Sequence, residues 1–182
     1  MLWYNKFSMG KNIFILLTFD DETTKRLQAF KEELYAFDVH FDYNHPHITI
    51  ANYPGINTVT IKKYAEHFFK KIKPFPIILA KLALIDKHLL VIEPIDNSRL
   101  NEIHHTFHEA YDEYSTIYTT MKDGKYMPHI TLHYDLERDL TPIFEELAPK
   151  FVSFTGFITG VEVSQINDNG FKILRRILLK GA

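Results

Sequence analysis

The chain has 182 residues, enough for one sizeable core but not for several independent domains. Its 46% hydrophobic and 14% aromatic content suits a packed globular protein and excludes a disordered one. With 21 Lys+Arg against 23 Asp+Glu the formal charge is -2, which argues against a protein that coats long nucleic acid, and the absence of Cys removes disulfides, a thiol nucleophile and Cys-ligated metal centres.

Residues 1 to 6 lack a basic region followed by an apolar stretch and cleavage site, so a secretory signal is not expected. Residues 1 to 8 read as a loose extension ahead of Met9. The longest apolar run, Ile13 to Leu17, falls far short of the roughly 20 residues that a membrane-spanning helix needs. The expectation is a cytoplasmic, monomeric protein with no membrane partner.

In chain order, Asn12 to Phe19 is apolar and β-branched enough for a central strand. Asp20-Asp21 then caps a helix whose apolar positions are Leu27, Phe30, Leu34 and Phe37. His47 to Tyr53 reads as a strand closed by Pro54-Gly55, and Ile61, Ala65, Phe68 and Ile72 mark a second helix bounded by Pro74 and Pro76. Ile77 to Ile85 and Leu89 to Ile95 form two strands around the turn Asp86-Lys87-His88. The order then begins again: Asp96-Asn97-Ser98 caps a helix carrying Leu100, Ile103, Phe107 and Tyr111, and His129 to Tyr134 is a strand. Thr141-Pro142 starts a short helix that stops at Pro149, and Phe151 to Ile166 with Phe171 to Leu179 supply the last strands.

The tripeptides His47-Ile48-Thr49 and His129-Ile130-Thr131 stand 82 positions apart, and so do Asp86 and Asp168. This points to an internal duplication. The expected fold class is α+β: duplicated β-α-β-α-β halves related by a pseudo-two-fold axis, with two antiparallel-rich sheets lining a central cleft. The expected organisation is one domain over 1–182, made of lobes at about 11–87 and 88–170, with 171–179 completing a sheet.

The segments Pro46-His47-Ile48-Thr49-Ile50 and Pro128-His129-Ile130-Thr131-Leu132 share four identical residues and a fifth aliphatic one. Alternation along a strand sends His47 and Thr49 to one face and Ile48 and Ile50 to the other, and the same holds for the second copy. A base and a hydroxyl are thereby presented twice. Cleavage of a phosphodiester needs one group to take a proton from the attacking oxygen and another to give one to the leaving oxygen, roles that two imidazoles fill near neutral pH without a metal. The threonine hydroxyls can donate to the non-bridging oxygens.

These paired motifs resemble those of the 2H phosphoesterase superfamily, and within it the 2′-5′ RNA ligase-like and cyclic phosphodiesterase proteins. By layout the resemblance spans roughly residues 11 to 180, its specific part being 46 to 50 and 128 to 132. It implies a bilobal duplicated fold and opening of 2′,3′-cyclic phosphates or hydrolysis of related nucleotide or RNA-end phosphodiesters. It also implies that His47 and His129 form the acid/base pair, with Thr49 and Thr131 binding phosphate and no cofactor. RNA-ligase-like members often carry a basic residue shortly after the second motif. Here His133-Tyr134-Asp135 follows, so the resemblance specifies phosphoester chemistry better than an RNA substrate. Tyr126, three residues before the second histidine, also matches the family.

His45, Lys125, Tyr126 and His133 are the further candidates for contacting a small nucleotide or RNA terminus. Lys172, Arg175 and Arg176 complete the basic set but read equally as surface charges. Two other functions remain open on the sequence: a module that holds an RNA end or nucleotide phosphate without turnover, and a metal protein ligated by His45, His47, His129 and His133. His104, His105 and His108 have helical metal-site spacing, but their position around the apolar stripe favours a solvated face.

Overall fold

The computed structural model describes residues 12–39, 45–122, 126–167 and 170–181. The expectations for residues 1–8, Lys125 and Asp168 lie outside the described residues. Among the described residues there are seven strands: β1 (Asn12–Phe19), β2 (Ile48–Pro54), β3 (Phe75–Ile85), β4 (Leu89–Ile95), β5 (Ile130–Tyr134), β6 (Phe154–Asn167) and β7 (Gly170–Leu178). The described residues also form four α-helices: α1 (Asp21–Glu32), α2 (Thr58–Phe69), α3 (Ser98–His108) and α4 (Thr141–Leu147). None of the described helices is long and apolar enough to cross a membrane.

Helix starts follow the sequence signals. Asp20 Oδ1 accepts from the Thr23 amide at 2.7 Å, and Asn57 Oδ1 accepts from the Val59 and Thr60 amides at 3.0 Å each, satisfying donors that a first helical turn leaves open. Pro142 occupies the first turn of α4, where its missing N–H costs nothing. At α3 the capping residue is Asn97, but its side chain turns back to donate to the Pro94 carbonyl instead of capping the helix. The first helical stretch is shorter than the apolar spacing suggests: α1 ends at Glu32, a 3-10 turn carries Glu33–Phe37, and Asp38 stops it with φ 58°.

All strand pairs are antiparallel, and the order is β2-β1-β6-β3-β4-β5 with β7 also on β6. The two expected sheets are thus hydrogen-bonded into one. The joining element is β6, which runs 14 residues and pairs with β1 through Ile158–Ile166 and with β3 through Phe154–Ile158. The order is symmetric about the β6–β3 junction, exchanging β2 with β5, β1 with β4 and β6 with β3. The third strand of each half lies on the far side of that junction from its own first two strands. A split of the sequence at 87 and 88 is therefore not a split of the sheet.

One face of the sheet packs on the helices. Ile13, Ile15 and Leu17 of β1, Ile48 and Ile50 of β2, Leu90 and Ile92 of β4, and Ile130 and Leu132 of β5 are buried in a single core with Leu27, Ile61, Phe69, Ile103, Phe107 and Ile143. Gly156 on β6 is required where α1 crosses it: a Cβ there would stand 2.5 Å from the Thr23 methyl, and Thr23 Oγ1 accepts from the Phe157 amide at 3.2 Å.

Each motif strand carries one β-bulge, at the same place. In β1–β2, Ile15 pairs with Ala51 and Leu16 with Thr49, so Ile50 is the extra residue. In β4–β5, Leu90 pairs with His133 and Val91 with Thr131, so Leu132 is the extra residue. Bulges bend a strand and re-aim its side chains, and here both bulged residues are aliphatic and buried.

Candidate active site

The chain enters β2 and β5 in the same way. Pro46 and Pro128 have no N–H for a ladder, and the histidine that follows folds its ring back on the preceding main chain. His47 Nδ1 lies 2.8 Å from the His45 carbonyl, and His129 Nδ1 lies 2.8 Å from the Met127 carbonyl. A carbonyl only accepts, so in both rings Nδ1 is the N–H donor, and the neutral ring carries its lone pair on Nε2. The two histidines therefore precede their strands, which begin at Ile48 and Ile130, rather than opening them.

Thr49 sits opposite Leu16 and Thr131 opposite Val91, the corresponding positions of β1 and β4. Both threonines reach solvent, Thr131 more than Thr49. β2 and β5 stand at opposite ends of the strand order, yet the sheet curves until they contact one another. A direct link is made by Tyr126, whose hydroxyl donates to the Thr49 carbonyl at 3.0 Å. Its ring lies flat on His104, with centroids 3.7 Å apart and planes 3° from parallel.

Burial holds both imidazoles below the ordinary histidine pKa. His47 is pushed down to about 4, chiefly by desolvation; the His45 and Lys31 charges act in the same direction, and the His45 carbonyl and Glu162 oppose it. His129 is lowered by desolvation, against the Met127 carbonyl and Glu93. Each imidazole thus has a carboxylate working on it, and each carboxylate has a cation. Glu162, only 3% exposed in the middle of β6, accepts from Arg176 Nε at 2.9 Å and stands 3.5 Å from His45 Nε2. Glu93 on β4 meets Lys81 Nζ at 3.0 Å.

Glu162, Glu93 and Lys31 were not singled out from the sequence. Both acids had a readable signal, each being the lone charge inside an apolar run: Val161-Glu162-Val163 and Leu89 to Ile95. Lys31 had none, because its helix register gives no hint that its charge reaches His47 and His133.

The remaining candidates separate. His133 pairs with Leu90 after the Leu132 bulge, and the Lys31 charge acts on it as it does on His47. Arg176 is held by Glu162, while Arg175 reaches Glu66 on α2 at 2.8 Å. The four-histidine chelate is not assembled: among the described residues no group of three or more His, Cys, Asp or Glu is placed to hold a metal ion.

The solvated face expected for His104, His105 and His108 needs correction. Only His105 is exposed; His104 and His108 are 5% and 0% accessible. Their Nε2 atoms donate to the Thr119 carbonyl at 2.7 Å and the Ile50 carbonyl at 3.0 Å. α3 packs against main chain that needs donors, and imidazoles supply them.

The profile of the 2′-5′ RNA ligase superfamily matches residues 19–167. The chain belongs to this superfamily. It is accordingly one of the 2H phosphoesterases, proteins that process phosphodiesters, as the paired motifs suggested. No curated protein matches it by sequence.

Solved structures share the fold. TT0787 of Thermus thermophilus superposes with a TM-score of 0.66 at 15% identity, covering 93% of this chain and 98% of that one. E. coli LigT complexed with phosphate gives 0.62 at 12% identity, covering 94% and 99%. LigT complexed with 3′-AMP gives 0.63 at 13% identity, covering 93% and 98%. At these identities the likeness is one of fold.

Proposed function

We propose that this chain is a metal-independent phosphodiesterase that acts on 2′,3′-cyclic phosphates or related nucleotide and RNA-end phosphodiesters through His47 and His129. The observation that carries this reading is the doubled Pro-His-Ile-Thr segment, in which both rings donate Nδ1–H to a main-chain carbonyl 2.8 Å away. Each ring is thereby oriented with Nε2 as its reactive atom, as a general acid/base pair needs. The LigT structures with phosphate and with 3′-AMP support a site sized for a phosphate on a small nucleotide.

In the proposed reaction a water oxygen attacks phosphorus. One Nε2 removes its proton as the P–O bond forms, and the other imidazole, protonated at Nε2, delivers a proton to the ribose oxygen as the ring P–O bond breaks. The products are a phosphomonoester and a free ribose hydroxyl. Thr49 and Thr131 hold the non-bridging oxygens, where charge accumulates. Because burial keeps both imidazoles neutral in the free protein, the acid is loaded by the substrate: an entering phosphate anion favours imidazolium. The two motifs are alike, so the orientation of the ester decides which histidine acts first as base.

Incubating the purified protein with 2′,3′-cyclic AMP in excess chelator tests this. Conversion to a ribonucleotide monophosphate is expected. Unchanged substrate together with histidine-dependent binding would make the chain a holder of phosphate ends instead, and recovery of activity only with added metal would overturn the metal-independent scheme.

A further inference from the structure

The first motif strand has main-chain groups that no neighbouring strand takes. The Thr49 carbonyl accepts from the Tyr126 hydroxyl at 3.0 Å, and the Ile50 carbonyl accepts from His108 Nε2 at 3.0 Å. The Asn52 carbonyl accepts from the Thr116 amide at 3.1 Å, and the Asn52 amide donates to Thr119 Oγ1 at 3.2 Å. Every partner comes from residues 108–126, which lead from α3 into the second motif. An end strand is thereby closed, as exposed strand edges generally must be.

Three of these bonds lie away from the second histidine in sequence, but the Tyr126 bond does not. Tyr126 is three residues before His129, and Thr49 is two residues after His47, so one 3.0 Å bond ties the approach to the second motif to the first motif. The tyrosine ring has little freedom to move. It is stacked on His104, which is itself anchored to the Thr119 carbonyl at 2.7 Å and lies 4.3 Å from the ring of His108. Desolvation raises the phenol pKa, so the hydroxyl keeps its proton and remains a donor. Both its hydroxyl and its ring face are engaged inside the protein.

We propose that Tyr126 is a positioning residue: braced by His104 and bonded to the Thr49 carbonyl, it fixes the separation of the two His-Ile-Thr motifs and hence the span of phosphate that the two imidazoles bracket. This rests on the two-histidine reading of the site. Acid/base catalysis across one phosphate is sensitive to that span, since a misplacement of about 1 Å can cost on the order of a hundredfold in rate.

The test compares the wild-type protein with Tyr126→Phe, which keeps the ring on His104 and removes only the hydroxyl. Inorganic phosphate is titrated into each while the imidazole resonances of His47 and His129 are followed by NMR, and steady-state kinetics are measured on 2′,3′-cyclic AMP. In wild type both resonances should move with one shared Kd. In Tyr126→Phe, with a Tm within a few degrees of wild type, kcat should fall about tenfold or more while KM changes less than about threefold, the signature of lost alignment rather than lost binding. A wild-type titration in which phosphate moves neither imidazole overturns the two-histidine reading itself. If both move, unchanged kcat in Tyr126→Phe overturns the positioning role, and so does a raised KM with kcat preserved, which would make Tyr126 a substrate contact.

Discussion

Ile50 and Leu132 are each the extra residue of a β-bulge, and they occupy the same place, one residue after the threonine of each motif and 82 positions apart. A bulge is a specific backbone event that hydrophobic pattern alone does not require. Its recurrence ties the duplication to the site: the bulge ends the alternation of His, Thr and the next residue, so each motif presents one histidine and one threonine before the strand turns aside.

The threonines should matter through their hydroxyls. Thr49→Val and Thr131→Val keep the shape and remove a donor to a non-bridging oxygen. Each is expected to lower kcat/KM on a cyclic nucleotide by about tenfold or more, as loss of a transition-state donor does, while Tm stays near wild type because neither side chain is in the core.

The pH profile follows from the direction of the imidazole shifts. Turnover needs one imidazole protonated and one neutral, and in the free protein both titrate below the ordinary value of 6.5, His47 near 4. The acid form is lost as pH rises through the acid's pKa, and the base form is lost as pH falls through the base's. kcat/KM should therefore peak on the acid side of 6.5, and the kcat maximum, which reports the bound state, should lie at higher pH because the phosphate charge favours imidazolium. Coincident profiles with a maximum above about pH 7.5 would contradict this.

Stability has a related signature. His47 and His104 are depressed to about 4, and His108, His129 and His133 are lowered as well, all chiefly by burial. Between 6.5 and about 4 the unfolded chain binds protons at these sites that the folded chain does not, so the folded state loses stability as pH falls through that window. Thermal melts should show Tm declining already below about pH 6.5, ahead of the range in which carboxylates titrate.

His108→Leu leaves the Ile50 carbonyl without its donor at a position with no solvent access. A loss of about 1–3 kcal/mol of unfolding free energy per buried group left unsatisfied is expected from urea denaturation. A change within about 0.5 kcal/mol, the range of an ordinary surface substitution, would mean that the contact is dispensable.

Much of this was legible in the sequence because its signals were local. The two Pro-His-Ile-Thr segments, the Asp20 cap and the turn at Asp86-Lys87, where φ is 49° and 63°, are set by residues within a few positions of one another. What was not legible depended on partners distant in the chain. Nothing within Phe154–Asn167 states that its two ends pair with different strands, and so one sheet was read as two. Periodicity puts His104 and His108 on a solvated face because it registers apolar neighbours but not carbonyls in need of donors.

The central claim is that His47 and His129 act as one unit on one phosphate. The most direct measurement is the rate of 2′,3′-cyclic nucleotide opening, in excess chelator, by wild type, His47→Ala, His129→Ala and the double variant. Each single variant should lose about a hundredfold or more, the usual worth of an acid/base group. The double variant should be little worse than either alone, because residues acting in concert are not additive. Full activity in either single variant, or losses that simply multiply in the double, would contradict it.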